Sequence, residues 1–600
     1  MEKRLVLAVI VSIVFFFLWS WLFSPALPPR SLEESFDGVS APAGESLPDG
    51  GTGLQPSTTG GDRPGDQRPI VTKAAGGAPS IPGILGVTAA VADPDITPGV
   101  EIAAEGEEII EIDTDLYEIR LSNRGALVTS WKLLDYLNDE GEPLDLVSPA
   151  AADLNIQPLQ ILVDNPDATS RLRDALYRVE RDEYQVEGRR IIDVQFTYAD
   201  GRGLAATKTL RIDAGGYLGE FSAAVRVAGR PVTPYVLWGA GFAAHTGLEK
   251  GYYADGSWAV VEINGEVEFR SQAQIEPDEP WGLTGNIAWA GVSDKYFAAV
   301  FIPDTPVPGR THAEMHRRVR DGREQFYLSM LLLIPGANHY LLYVGPKDYE
   351  VLQAQHRGLD GLLDFGWFWF VAEPMFKALK FLYGYVGNYG WAIILLTIAI
   401  RLILFAFMHK TQVNMKKMQD KMKNVQPKMK ALRERFKKLE RKAMEKHDAG
   451  ARQKVRQQLN EETMALYRRE GVNPMGQMGG CLMLLLQMPI FLGFLKVLTL
   501  AIELRKAPFI LWIGDLSQMD PWRVTPIVMG ATMLIQQMMT SSAIPDPTQR
   551  RMMYMMPVVF TFFMLNMPSG LVLYWLVNNL LAIGQQYLVN RQVEAEGKTA

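Results

Sequence analysis

Apolar residues follow three different rhythms along this chain. From Glu107 onward, stretches such as EIIEIDTDLYEIRLSN, RRIIDVQFTYAD, TKTLRIDAGGYLGEFSAAVRV and KYFAAVFIP alternate apolar and polar positions at period two, bounded by Gly, Asp, Asn and Pro. That rhythm predicts β-strands. Roughly 240 residues of it, with no repeated helical segment, predict a large antiparallel β-sandwich over 105–348.

The second rhythm is the unbroken apolar run. Leu5–Phe23, Trp391–Met408, Met475–Ile502, Val524–Thr540, Met552–Met567 and Leu571–Val589 are six such runs, the last two separated by Pro568-Ser569-Gly570. Runs of this length predict bilayer-spanning helices. The fold class that follows is multi-domain: a polytopic helical membrane bundle of six spans with a five-span core, plus the β-sandwich. Leu5–Phe23 also reads as a signal peptide, since Ser24-Pro25-Ala26 loosely resembles a cleavage site. Its length exceeds the usual apolar core of about 7–15 residues, which favours an uncleaved anchor. Val524–Thr540 and Met552–Met567 would be only about 25 Å long as helices. A bundle containing them should thin the bilayer around it.

The third rhythm is a 3-4 spacing. Met415, Met418, Met422, Val425, Met429, Leu432, Phe436 and Leu439 form a heptad seam. Pro427 either kinks that helix or opens a new one. HDAG, ending at Gly450, is a turn, and Val455, Leu459 and Leu466 supply a return face, so 410–472 should be an antiparallel helical hairpin. Residues 361–388 fit none of the three rhythms cleanly. Glu373–Val386 reads as an amphipathic helix lying in the membrane interface, opened by Pro374 and anchored by the aromatic cluster at 367–370.

Charge orients these elements. Lys410–Glu470 holds nineteen Lys/Arg against eight Asp/Glu, although the whole chain is −7. Positive charge collects on the cytoplasmic side. The hairpin and Lys3–Arg4 should therefore be cytoplasmic, the β-domain periplasmic, and both termini inside. The expected organisation is an anchor (1–24), a Gly/Pro/Ser-rich linker (25–104) and the periplasmic domain (105–348). The interfacial helix (361–388), second span (389–409) and hairpin (410–472) come next. Spans three to six (473–590) and a short tail (591–600) complete it. The hairpin's basic surface suits anionic lipid, ribosomal RNA or incoming chains, or marks topology alone.

Candidate chemistry is sparse. There is no phosphate-binding Gly-rich loop, no Gly-x-Ser-x-Gly elbow and no Cys/His cluster, so neither enzyme activity nor a cofactor or metal is expected. Of His245, His312, His316 and His339 only His312 and His316 are spaced as metal ligands, four apart, and HAEMHRR lacks the Glu placement of a zinc-protease helix. The single cysteine, Cys481, has no intrachain partner. Arg401 stands out, because it interrupts WAIILLTIAIRLILFAFM. A charge there costs at least about 2.5 kcal/mol on insertion scales. It either snorkels to the interface or lines a wet cavity. Thr397 lies one turn earlier on the same face. Gln487, Gln536, Gln537, Asn578, Asn579 and Gln585 are further polar residues within spans. They fit ordinary interhelical hydrogen bonds or a shared hydrophilic groove. No span carries an acidic partner for Arg401, which favours water or a substrate carboxylate. Twenty-two of the twenty-six Met lie at or after residue 408, as a surface accepting many partners would use them.

ELRKAPFILWIGDLSQMDP, GVNPMGQMGGCLMLLLQMPIF and MPSGLVLYWLVNNLLAIGQQ resemble the YidC/Oxa/Alb membrane insertase family in its Gram-negative bacterial form. The resemblance implies a membrane protein insertase and chaperone of the bacterial inner membrane. Such a protein inserts and folds newly made membrane proteins, alone or with the Sec translocon, through a hydrophilic groove carrying one Arg. The matching positions are Arg401 and Thr397, with Tyr574 and Trp575 as the substrate-contacting aromatic pair. Gln487, Gln537 and Asn578 join them as groove candidates. Implied partners are nascent membrane proteins, the Sec translocon and its accessory subunits, the ribosome through the cytoplasmic loop, and membrane lipid. The β-domain resembles a supersandwich related to sugar-binding folds. A small-solute or anion transporter using the same Arg is the alternative, although the spans show no internal repeat.

Overall fold

The computed structural model describes residues 99–599 apart from 139, 243–255, 278, 321–322, 446–448, 472–478 and 542–546. The expected anchor, the linker up to residue 98, and His245 lie outside the described residues.

Residues 101–346 form an all-antiparallel β-domain of two sheets, one of fifteen strands and one of four. Strand pairing starts before the expected boundary at 105, because Glu101 and Ile102 pair with Asp200 and Ala199. Two-residue hairpins fix register where sequence demands them. Asn264-Gly265 turns with both residues at positive φ, 55° and 83°, between strands Trp258–Ile263 and Glu266–Ser271. Only a left-handed pair of this kind matches strand twist. The longest hairpin, Val307–Arg320 with Arg323–Leu333, pairs eleven positions from Arg310↔Leu333 to Arg320↔Arg323.

The small sheet (Ile109–Asp113, Tyr117–Ser122, Leu127–Leu137, Pro143–Asp145) packs its alternating apolar face onto the large one. Trp131 meets Trp238 at 6.1 Å between ring centroids, and the Tyr117 hydroxyl donates to the Asp213 carbonyl at 2.6 Å. Inside this core Lys208 is fully enclosed and donates to the carbonyls of Gly125, Ala126 and Leu159 at 2.7, 3.0 and 2.9 Å. Burial pushes its pKa down to about 7. Three carbonyl acceptors match the three donors of an ammonium, which argues that the group stays charged. Short helices α1 (Ala150–Asp153) and α2 (Pro166–Asp174) flank the small sheet.

A second core lies across the other face of the large sheet. It runs without interruption from Trp289, Val300 and Tyr343 through helix α3 (Tyr349–Ala354) into the helical region. Helix α4 spans Trp369–Val386 and buries Ala372, Met375, Phe376 and Leu379. Pro374 therefore sits inside α4 and does not open it. In its first turn Val371 and Ala372 pack against Gly493, where a side chain would crowd them. Trp367, Trp369, Phe370, Phe381 and Tyr385 stay exposed, which is how an interfacial helix presents its aromatic residues.

Helix α5 runs from Tyr389 to Glu445 without a break, so Pro427 neither ends it nor starts another. Helix α6 (Ala449–Arg469) returns along it. Three ion pairs fix the antiparallel register: Lys428–Glu470, Arg435–Glu462 and Arg456–Glu440, at 2.7, 3.8 and 2.9 Å. Val425, Met429 and Phe436 are the buried part of the seam, while Leu439 is exposed at its end. Helices α7 (Gly479–Leu500), α8 (Val524–Ser541), α9 (Pro547–Met564) and α10 (Ser569–Thr599) complete the chain. The expected tail at 591–600 is a continuation of α10: His409 and Lys417 of α5 contact Gln592 and Glu596, which holds the last turns helical. Among the described residues one helix, Tyr389–Lys442, is both long and apolar enough to cross a bilayer; Gln487–Leu500, Val524–Met539 and Met553–Met564 are shorter apolar stretches. Ile527, Ile535, Val558, Phe562 and Leu580 are exposed on these helices, as residues facing lipid would be.

Candidate functional site

Arg401 lies on α5 where that helix runs beside α10. The two helices are parallel, since contacts advance in the same direction on both: 401 with 578, 409 with 592, 417 with 596. Leu402 and Ile403, the next two residues, are 68% and 80% exposed, so the lipid-facing side of α5 is theirs and Arg401 turns into the bundle. Its Nε donates to Asn578 Oδ1 at 2.7 Å, and Nη2 donates to the Asn578 carbonyl at 3.3 Å. Nη1 approaches Met408 Sδ at 3.5 Å, about two turns further along the same face of α5. All three partners are neutral. No carboxylate reaches Arg401 among the described residues.

The other expected residues divide. Thr397 is buried and its hydroxyl donates to the Ile393 carbonyl at 2.7 Å, a bond within its own helix. Such back-bonding is the ordinary way for a helix to satisfy Thr in an apolar setting. Gln487 of α7 donates from Nε2 to the Tyr574 hydroxyl at 2.9 Å, and Tyr574 stacks on Phe494 at 4.3 Å with rings 18° apart. Tyr574 is thus enclosed between α7 and α10. Trp575, the next residue, packs its ring between α7 and α9, against Phe491 at 4.9 Å and Phe560 at 4.8 Å. Its indole N–H is buried and finds no acceptor among the described residues. Gln537 is half-buried on α8, and no hydrogen bond joins it to Arg401 among the described residues. The polar contact from α8 to α10 is instead Asn579 Nδ2 to Thr532 Oγ1 at 3.3 Å.

The structure therefore brings Arg401, Asn578 and Met408 together, and separately Gln487, Tyr574 and Phe494. Met408 escaped sequence reading, although its spacing of seven residues from Arg401 places it on the same helix face.

A further polar centre joins the β-domain to the bundle. Lys380 Nζ of α4 lies 3.0 Å from Glu503, 3.2 Å from Glu350 and 3.4 Å from Asp348. Burial works against its charge, but Glu503 and Asp348 outweigh that and hold its pKa above the usual value. Lys506 and Arg505 beyond α7 donate to the carbonyls of Asn138 and Leu137 in the small sheet. The β-domain histidines have local roles. His316 bonds Ser329 Oγ at 2.7 Å, His312 lies 3.1 Å from Glu314, and His339 lies between Glu220 and Asp304. No group of three metal-ligating side chains occurs among the described residues.

Comparison with known proteins matches both halves of this architecture. Residues 109–378 match the family model described as the YidC periplasmic domain, and residues 381–596 match the one described as 60Kd inner membrane protein. The class is thus an inner-membrane protein carrying a large periplasmic β-domain. A protein of Syntrophus aciditrophicus named membrane protein insertase YidC is 35% identical over 87% of this chain and 92% of its own length. One of the same name from Geotalea daltonii is 33% identical over 99% of this chain and 100% of its own. The chain belongs to the YidC family of membrane protein insertases. A solved structure described as an active YidC insertase with its first transmembrane domain resolved aligns over 81% of this chain and 94% of its own, at 18% identity and a TM-score of 0.32.

Proposed function

We propose that this insertase receives nascent membrane proteins at Arg401, in a hydrophilic groove between α5, α7 and α10 that opens toward the cytoplasm. The observation that carries the reading is the guanidinium's set of neutral partners. A cation withdrawn from water usually sits beside a carboxylate; Arg401, half-buried, is held by an amide, a carbonyl and a sulfur. Its charge is not neutralised, and a client's acidic tail can take the place of Asn578 by exchanging a neutral acceptor for a charged one. Gln487, Tyr574, Trp575 and Asn578 wall the route, with Thr397 and Gln537 at its margins.

In this reading the chain has six spans, both termini inside and the β-domain in the periplasm. The α5–α6 hairpin faces the ribosome and anionic lipid, and the Sec translocon and its accessory subunits are partners. The reading is supported by the hairpin's excess positive charge and by the parallel run of α5 and α10, which alternate spanning requires.

The test is insertion into proteoliposomes of short-tailed clients that differ only in tail charge. Arg401→Lys should preserve insertion of acidic tails and Arg401→Ala should reduce it selectively. Equal insertion of acidic and neutral tails by Arg401→Ala would refute electrostatic capture. A water-soluble thiol reagent should label cysteines at 397 and 401 from the cytoplasmic side; no labelling would refute the open groove.

A further inference from the structure

The motif around LWIGDLSQMDP has no part in the groove. It forms the loop from Arg505 to Arg523 between α7 and α8, and the loop has an unusual combination of properties. Its tip is apolar and uncovered: Leu511 is 84% exposed and Trp522 68%, with Ile510 and Met519 also exposed. Yet it is rigidly built. Asp520 is buried and accepts five hydrogen bonds, from Trp512 Nε1, the N–H groups of Trp522, Arg523 and Thr525, and the Thr525 hydroxyl. Trp512 and Trp522 stack at 5.3 Å with rings 16° apart. Backbone hydrogen bonds brace it internally, from Phe509 N to Ile513 O and from Leu516 N to Ala507 O. It is also tied to the start of α10, from Gly570 N to Leu516 O and Ser569 N to Gln518 O. Leu511 and Arg523 are held at positive φ, 55° and 56°, a conformation non-Gly residues adopt at a cost.

We propose that this loop is a preformed wedge whose tip, Ile510, Leu511 and Trp522, inserts into the interfacial layer of the outer lipid leaflet. A strained loop that holds apolar side chains outward needs a cover, and the surroundings specify lipid. The loop caps the end of α7 and the starts of α8 and α10, and Phe509 meets Trp391 at the start of α5 at 5.8 Å. Four helix ends at one level mark a membrane surface, where Trp is enriched. The outer side rests on the topology proposed above.

The test uses the full chain with Cys481→Ser, reconstituted in phosphatidylcholine/phosphatidylglycerol vesicles, with an NBD label on Leu511→Cys or, as a polar control, on Gln518→Cys. Lipids carrying a nitroxide at carbon 5 should quench the 511 label at least twofold more than lipids carrying it at carbon 12, and iodide should quench it several-fold less than the 518 label. Equal iodide quenching at both positions, with no lipid quenching at 511, overturns the wedge. So does lipid-independent shielding that rises with protein-to-lipid ratio, which would assign the tip to a second copy. External dithionite should bleach the 518 label. If bleaching needs permeabilised vesicles, the topology fails while the lipid contact stands.

Discussion

Asn578 holds the Arg401 guanidinium at two points, its side-chain Oδ1 at 2.7 Å and its own backbone carbonyl at 3.3 Å. The side-chain bond is the one a mutation can remove. Hydrogen bonds to a charged group are worth about 1.5–3 kcal/mol. Asn578→Ala should therefore leave Arg401 freer and raise crosslinking yield with an acidic-tailed client. Asn578→Asp should pair the charge and reduce insertion of acidic tails by about tenfold, leaving neutral tails near the wild-type rate. Insertion assays with matched clients read both outcomes.

Tyr574 separates hydroxyl from ring. Tyr574→Phe loses the bond from Gln487 and keeps the stack on Phe494, for a loss of about 1 kcal/mol. Tyr574→Ala removes a buried ring and should cost about 3–5 kcal/mol. Thermal unfolding in detergent, followed by tryptophan fluorescence, should show a small and a large fall in midpoint respectively.

Gly530 of α8 faces Thr561 of α9 so closely that any β-carbon would overlap the Thr561 hydroxyl. Gly530→Ala should overpack this contact by about 1–3 kcal/mol. Thr561→Ala should restore much of the loss in the double mutant. A double-mutant cycle on thermal stability checks it, and additive effects would contradict the contact.

Lys380 faces three carboxylates from two parts of the chain, Asp348 and Glu350 at the start of α3 and Glu503 beyond α7. Lys380→Met leaves Glu503 partly buried without its cation. Allowing for the exposed share of the site, the cost should be about 2 kcal/mol. Hydrogen exchange should accelerate in α3 and around residue 503 while the α5–α6 hairpin is unchanged.

His339 gives the periplasmic domain a pH dependence of known sign. The bond with Glu220, opposed by burial and helped by Asp304, raises its pKa above the ordinary value of 6.5. A raised cation pKa stabilises the fold fully below the unfolded value and loses that contribution as pH rises through the folded one. The groups facing it also include Arg211, which bonds Glu220 at 2.9 Å and Asp193 at 2.9 Å and stays charged throughout. Protection of strands Leu218–Val227 and His339–Pro346 in hydrogen exchange, corrected for intrinsic rates, should fall above about pH 6.5. His339→Gln should flatten that fall.

Much of the architecture was legible because local rhythm carries it. Period-two alternation located the strands, and the 3-4 seam located the hairpin down to its buried Val425, Met429 and Phe436. The interrupted apolar run pointed to Arg401, and the packing of α5 against α10 turned it inward. What escaped depends on partners distant in sequence. Lys380 meets residues 30 positions before it and 123 after it. The close approach of Val371 and Ala372 of α4 to Gly493 has no local signal. The bond from the Thr397 hydroxyl to the Ile393 carbonyl depends on a rotamer that position alone does not give. Period-two alternation marked the β-domain, but not that its second sheet face shares a core with α3, α4 and the bundle.

The unbroken course of α5 has a mechanical consequence. About 36 residues of rigid rod extend past Lys410, which is roughly 55 Å at helical rise. The His409–Gln592 and Lys417–Glu596 contacts hold α5 to α10 beyond Arg401, so a tilt of the projecting rod turns about the Lys417 contact and swings the far tip by about 7 Å for every 10°. A single helix thus serves as wall along α10 and as an arm beyond it, and a load on the arm meets the Lys417–Glu596 ion pair before it reaches the Arg401–Asn578 bond.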